Sequence, residues 1–321
     1  EYAGAKGLGG LFAQRNSFAR PAFLRMLREV PRFHRAALRH LDAGDDDATY
    51  GEFLTAGGYS PYFISHFAIP LVSAVWSAAP GDSLLYPARY LFAFLSNHGA
   101  LSITGSPEWR TVVGGSRTYV ERAAKQLSAV ESATSIRSVT RHVTGVEIRD
   151  DGDQVHHFDR VVIATHADTA LTLLADPTEA ERATLGAFRY SHNRTVLHTD
   201  AAVLPAARRA RASWNYLLPS CETSSDRVLV SYDLTRLQRL ATATPHVVSL
   251  NPGESVTPGA TIAEMTYDHP IFTRESVAAQ SLLPALNDGV TAYAGAYHGW
   301  GFHEDGCRAG VEAAASIGVQ W

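Results

Sequence analysis

Thr291–Ser316, TAYAGAYHGWGFHEDGCRAGVEAAAS, reads as a short strand, a glycine-rich turn and a helix aimed at an anion. Val290 to Ala294 form a short buried strand, and Gly295, Gly299, Gly301 and Gly306 permit positive φ and close approach of backbone to a ligand. Glu304 and Asp305 suit the first turn of the following helix. Gly310, Ala313 and Ala314 would let that helix pack closely on a sheet or a cofactor. The unpaired N–H groups at such a start favour a phosphate or a carbonyl-rich ring.

Two upstream stretches match this pattern. In WRTVVGGSRTYVERAAKQL, Trp109 to Leu127, Gly114 and Gly115 turn the chain into a helix from about Ser116. A double glycine alone is usually a turn, but here it precedes a β-rich segment. From Ser135 to Thr165 short strands alternate, with a hairpin turn at Asp150, Asp151, Gly152 and Asp153. FDRVVIATH closes the series: Val161, Val162 and Ile163 suit an inner strand, and Ala164 and Thr165 admit a closely approaching ligand. After Asp176 and Pro177, the runs RTVLHTD, ASWNYLL, RVLVSYDL and HVVSLNP predict a second sheet, with a ligand pocket at the lobe interface.

A chain of 321 residues with 45% apolar content buries a large core and is expected to form two intertwined lobes. Cys221 and Cys307 provide neither a disulfide framework nor metal-ligand spacing, which fits a reducing cytoplasm. The net charge of −4 offers no general attraction to nucleic acid. No signal peptide is visible at the start, which is Glu1 rather than methionine. Lys6 and Lys125 are the only lysines, so nearly all positive charge is arginine.

Phe18 to Leu41 is helical in pattern, with a break or kink expected at Pro31. Arg25, Arg28, Arg32, Arg35 and Arg39 recur at helical spacing while Phe23, Leu24, Leu27, Leu38 and Leu41 supply apolar contacts. The commoner reading of such a stripe is a solvated helix face; the sharper one is a peripheral membrane contact. Asp45 to Asp47 mark a loop, and Thr49 with Glu52 forms a capping box. YFISHFAIPLVSAVWSAA, Tyr62 to Ala79, approaches the length of a membrane span but is interrupted by His66 and Pro70, so buried helices or a chamber wall are expected. Tyr86, Tyr90, Phe92 and Phe94 extend the aromatic supply. His98 either lines that chamber or is a hydrogen-bonded structural histidine, the commoner case.

The terminal motif resembles the C-terminal FAD-binding motif of the flavin amine oxidase superfamily, which includes monoamine oxidases, protoporphyrinogen oxidase and phytoene desaturases. The likeness extends over nearly the whole chain and is closest to a bacterial branch described as predicted NAD/FAD-binding or FAD-dependent amine oxidoreductases, often associated with cyclopropane fatty acid synthases. It implies an α/β (mixed α+β) two-lobed FAD-binding fold. The family's opening Gly-x-Gly-x-x-Gly βαβ unit is absent: Gly7, Gly9 and Gly10 follow no apolar strand and precede no ribose-binding acid. By this resemblance the chain is a fragment that begins after the dinucleotide fold. Residues 1–108 would then be a mainly helical substrate-domain insert, 109–175 an FAD-lobe segment, 176–289 a substrate-binding sheet lobe, and 290–321 the C-terminal FAD-binding strand and helix.

The same resemblance implies noncovalent FAD. Its contacts would be Gly114, Gly115, Ile136 (backbone to adenine), Ala164, Thr165, Gly295, Ala296, Phe302, His303, Glu304 and Asp305. Phe302 matches an aromatic wall beside the flavin. The implied chemistry is hydride transfer between a small apolar substrate, a fatty-acyl or isoprenoid chain or an amine, and flavin N5. No catalytic acid or base follows from the sequence: His298 and His303 are candidates for moving protons, with hydrogen bonding around the turn the simpler role. Two competing readings are a metal site at His298, His303, Glu304 and Asp305, and a noncatalytic binding remnant. Oligomeric state is not legible. The expected location is cytoplasmic, with the arginine stripe as the route to a membrane surface.

Overall fold

The computed structural model describes residues 1–44, 47–102, 108, 110–221 and 226–319. Asp45 and Asp46 of the expected loop, and Trp109 at the head of the double-glycine stretch, lie outside them. In chain order the longer helices are α1 (Pro21–Asp42), α2 (Tyr50–Ala56), α3 (Ile69–Trp76), α4 (Ala88–Asn97), α5 (Arg117–Ala124), α6 (Ala167–Leu173), α7 (Glu179–Leu185), α8 (Arg274–Gln280) and α9 (His303–Ser316). The strands are β1 (Ile136–His142), β2 (Gly145–Asp150), β3 (Val155–Phe158), β4 (Val161–Ile163), β5 (Arg189–His198), β6 (Trp214–Tyr216), β7 (Val230–Asp233), β8 (Val247–Leu250), β9 (Thr261–Ile271) and β10 (Thr291–Tyr293). They fall into two compact units, each made from two separate stretches of chain.

The first unit comprises Glu1–Pro107 and Tyr190–Arg274. Its helical part is built around Phe33, fully buried on α1 and ringed by Tyr50, Phe53, Tyr59, Phe63, Phe67 and Phe92 at centroid distances of 5.7–6.1 Å. Helix α1 runs unbroken through Pro31, so of the expected break or kink the break does not occur. Phe23, Met26, Phe33 and Ala37 are buried on both sides of the proline, and that anchoring outweighs one lost hydrogen bond. The Thr49–Glu52 capping box is present, with Glu52 N–H donating to Thr49 and Thr49 N–H donating to Glu52 at 2.7 Å.

Tyr62–Ala79 folds as helices, not as a span: no helix among the described residues is long and apolar enough to cross a membrane. A π-helical turn, Ile64–Ala68, precedes α3. Pro70 has no N–H for the His66 carbonyl four residues earlier, and the Tyr2 hydroxyl donates to that carbonyl at 2.6 Å. The His98 ring is hydrogen-bonded to the Phe94 carbonyl at 2.8 Å, a structural arrangement.

The sheet of this unit has the order β6-β7-β8-β5-β9. The four runs read from the sequence supply β5 to β8, antiparallel where they pair in register. Strand β9 was not legible, because Ile262 and Tyr267 are exposed and its burial pattern lacks a clean alternation. Ala74 of α3 packs on Val228, Val230 and Leu250 beneath the sheet.

The second unit comprises Glu108–Arg189 and Glu275–Trp321. Residues 176–189 and 275–289 of the segment read as a sheet lobe therefore pack with this unit. It contains an antiparallel β1-β2-β3 sheet, whose β2–β3 turn follows Asp150 as expected and is tied by Gln154 N–H donating to Asp150 at 2.9 Å. Beside it is a parallel pair, β4 and β10, in which Val161, Val162 and Ile163 face Thr291, Ala292 and Tyr293. Helix α9 covers this pair through Ala309 and Ala313, packed on Ala292 and Ala294. Of the small residues expected to make this close approach, Ala313 does so, joined by Ala309 one turn earlier, whereas a Cβ on Gly310 would meet open space.

Candidate functional site

The candidate residues fall in the second unit, and most of them gather at the carboxyl ends of β4 and β10. Because the two strands are parallel, the loops that leave them emerge side by side. Ala294 N–H donates to the Ile163 carbonyl at 3.1 Å, and a Cβ on Gly295 would stand 3.4 Å from the Thr165 carbonyl. Ala164 is exposed, Thr165 half-buried. The carboxyl ends of parallel strands are where open α/β sheets bind ligands.

The turn from Gly295 to Gly301 is a short 3₁₀ segment leading to α9. Of the four glycines that permit positive φ or close backbone approach, Gly301 uses the first freedom, with a φ of 93°. Gly295 and Gly299 are required by crowding instead. A Cβ on Gly295 would lie 2.5 Å from the Tyr297 ring, and one on Gly299 would lie 2.1 Å from the Asp305 carboxylate. Gly306 is helical and faces the Ala296 amide at 3.7 Å.

Asp305, buried in the first turn of α9, accepts from Phe302 N–H at 3.1 Å and from Arg308 at 2.9 Å. It therefore caps the helix from within, while His303 and Glu304 lie exposed beside it. Phe302 is 37% exposed, and the Tyr119 hydroxyl is hydrogen-bonded to His303 Nδ1 at 3.1 Å. That contact brings the start of α9 to α5, the helix introduced by Gly114 and Gly115, whose φ values of 81° and 83° only glycine adopts without strain. Ile136 opens β1 on the other sheet of the unit, where it faces Asp150.

Two features of the site had no sequence signal. Gln280 at the end of α8 donates to the carbonyls of both Tyr297 and Gly299, at 3.0 and 2.7 Å, and so clamps the turn on either side of His298. The Nε2 atom of His298 is buried with no hydrogen-bond partner among the described residues. Burial, assisted by the charge of Arg308, lowers the His298 pKa to about 4, so the ring is neutral at neutral pH.

Behind the site, Tyr293 of β10 joins a buried network. Glu181 accepts from the Tyr293 hydroxyl at 2.6 Å, from Arg141, and from Thr178 N–H. Burial opposes ionisation of Glu181, but hydrogen bonds from Arg141, Tyr293 and Thr178 outweigh it and hold the carboxyl below its usual range. Burial and the neighbouring Glu181 raise the Tyr293 phenol well above its ordinary value.

Among the described residues, no group of three His, Cys, Asp or Glu side chains is placed to hold a metal ion. In the cluster that invited that reading, Asp305 is engaged by Phe302 N–H and Arg308, and His303 by Tyr119. A shallow depression of about 390 Å³ lies elsewhere on the unit, bounded by His142, His157 and Asp159 at the strand ends. It includes none of the candidate residues.

The two edges of the parallel pair differ. On β10 the outer edge is closed by its own chain: Asp288 accepts from Val290 and Thr291 N–H, and Asn287 accepts from Tyr293 N–H at 3.1 Å. On β4 the outer edge pairs with no described strand, and Val162 is 36% exposed there.

No protein-family model and no curated protein matches the sequence. Solved structures do. A CLA-producing fatty acid isomerase from P. acnes superposes with a TM-score of 0.63 at 15% identity, covering 94% of this chain and 77% of that one. Putrescine oxidase, in its wild-type form bound to putrescine, gives 0.61 at 12% identity over 92% and 75%. Cyclohexylamine oxidase from Brevibacterium oxydans IH-35A gives 0.57 at 16% identity over 91% and 74%. At such identities the likeness is one of fold, and the chain has the mixed α/β, amine-oxidase-like fold of these proteins.

Proposed function

We propose that this chain is the substrate-binding and C-terminal cofactor-binding part of an FAD-dependent oxidoreductase that acts on an apolar substrate. The observation that carries this reading is the meeting of Ala164, Thr165, Gly295 and Ala296 at the carboxyl ends of a parallel strand pair, beside the start of the 14-residue helix α9. The residues present fit a bound flavin. The glycine turn lets backbone approach closely, Phe302 offers an aromatic wall, and the buried, neutral Nε2 of His298 awaits a polar partner. When bound noncovalently, the flavin supplies hydride acceptance or donation at N5. The protein's part is to hold the turn rigid through Gln280 and Asp305 and to keep a neutral imidazole at the site. No residue is assigned as acid or base.

The open edge of β4 supports a further parallel strand at that position, as the dinucleotide-binding βαβ unit of the resembled family would provide. A two-stranded parallel sheet is marginal by itself. The same open edge favours a second reading in which this chain alone is a noncatalytic remnant unable to hold FAD. An apolar substrate, whether a fatty-acyl chain, an isoprenoid or an amine with an apolar body, draws support from the aromatic helical part of the first unit. A fold neighbour that is a fatty acid isomerase is in keeping with it.

The test compares flavin content and visible absorbance of the purified chain with those of a version extended upstream into the genomic reading frame. Flavin retained only by the extended version supports the first reading for the whole protein and the second for this chain. Flavin in neither overturns the oxidoreductase reading.

A further inference from the structure

The positive charge of this acidic protein is unevenly spread. Seven arginines and a single acid, Glu29, lie between residues 15 and 39, in a chain whose net charge is −4. Glu29 does not neutralise the surface: it is 5% exposed and turned inward, accepting from Ser60 N–H at 3.0 Å and from the Ser60 hydroxyl at 2.6 Å.

Helix α1 arranges these arginines on one line. At 100° per residue, Arg25, Arg28, Arg32, Arg35 and Arg39 fall within an arc of about 80°, and they extend over about 21 Å of helix. All five are exposed, while Phe23, Met26, Phe33 and Ala37 are buried on the opposite face. Arg25 pairs with Glu29 at 3.3 Å, and Arg32 bonds the Gly57 carbonyl with its guanidinium 4.6 Å from the Tyr59 ring. Arg28, Arg35 and Arg39 make no ion pair with any described residue. A surface helix that is merely solvated usually interleaves acids with its bases; between Arg25 and Arg39 this stripe has no exposed acid, and the next acid, exposed Asp42, is the last residue of the helix.

Beside the stripe runs a second row at seven-residue spacing, Leu24, Pro31 and Leu38, of which Leu38 is 40% exposed. Phe18, 60% exposed, stands just before the helix. A line of arginines flanked by protruding apolar side chains suits the headgroup region of an anionic bilayer, where guanidinium meets phosphate and the apolar groups enter the acyl boundary. Nucleic acid would use the arginines but leave the apolar row without a role.

We propose that the outward face of α1 docks this protein on an anionic lipid surface, with Arg28, Arg35 and Arg39 as the principal phosphate contacts. This proposal does not depend on the flavin reading, since lipid binding needs no cofactor.

The experiment is co-sedimentation of the full chain with vesicles of phosphatidylcholine alone and of phosphatidylcholine mixed equally with phosphatidylglycerol. Partition onto the mixed vesicles, weakened by salt and reduced about 100-fold by R28Q/R35Q/R39Q (about fivefold for each arginine), is the expected result. R208Q/R209Q/R239Q, which removes three exposed arginines elsewhere in the same unit, should bind like the unaltered chain. Equal partition onto both vesicle types, equal loss in the two triple variants, or retained binding by R28Q/R35Q/R39Q would overturn the proposal. So would binding of a single-stranded oligonucleotide with no partition onto mixed vesicles. Circular dichroism of each variant establishes that it is folded.

Discussion

Tyr293, in the final strand, donates its phenolic proton to Glu181, 112 residues earlier, at 2.6 Å. Arg141, from β1, completes the group, so that three segments distant in sequence are joined through one buried carboxylate. Removing either partner of a buried ion pair costs more than the pair itself contributes, because the other charge is left unpaired. Glu181→Ala is expected to lower unfolding free energy by about 3–4 kcal/mol, and Tyr293→Phe by about 1 kcal/mol, in urea denaturation. The pair should couple in a double-mutant cycle. Because the folded pKa of Glu181 is depressed, its contribution is present above the ordinary glutamate value of 4.5 and is lost as pH falls below it.

His298 titrates in the opposite sense to a paired histidine. The unfolded chain takes a proton near pH 6.5 that the folded chain refuses until about pH 4. Stability is therefore complete above about pH 6.5, declines as pH falls toward 4, and is flat with respect to this group below that. The loss should amount to roughly 1–2 kcal/mol once its partial exposure is allowed for. His298→Asn should remove this part of the slope between pH 6.5 and 4, measured by urea midpoints. A His298 ring signal titrating at its ordinary value in NMR would contradict the burial argument.

Gln280 clamps the Tyr297 and Gly299 carbonyls together. Gln280→Ala should cost about 1–3 kcal/mol. Its local signature is faster amide hydrogen exchange across 295–301 than global stability predicts. Gln280→Glu, which removes the donor and brings a carboxylate against two carbonyl oxygens, should be the worse of the two.

Glycine replacements in the terminal motif should separate by position. Gly299→Ala drives a methyl group into the Asp305 carboxylate, which is held by Phe302 and Arg308, so a loss of about 1–3 kcal/mol is expected. Gly310→Ala, on α9 with open space around it, should stabilise by about 0.5–1 kcal/mol. Thermal denaturation of the two variants checks both signs.

Local pattern made much of this fold legible. The strand, turn and helix of Thr291–Ser316, the hairpin after Asp150, the Thr49–Glu52 capping box and the strands β5 to β8 all rest on neighbours within a few residues, where spacing and turn chemistry decide conformation. The sequence also revealed the arginine stripe, since helical periodicity alone sets its line. Strand β9, the unbroken passage of α1 through Pro31, the part of Ala309 beside Ala313 in the helix seam, the Gln280 clamp, the orphaned Nε2 of His298 and the Glu181–Arg141–Tyr293 network were decided by tertiary structure. Each depends on burial or on a partner outside the local pattern, which a one-dimensional pattern does not encode. Even the glycines of the turn show the division: their positions were readable, but whether each answers to backbone conformation or to crowding emerged only when Tyr297, Thr165 and Asp305 were placed around them.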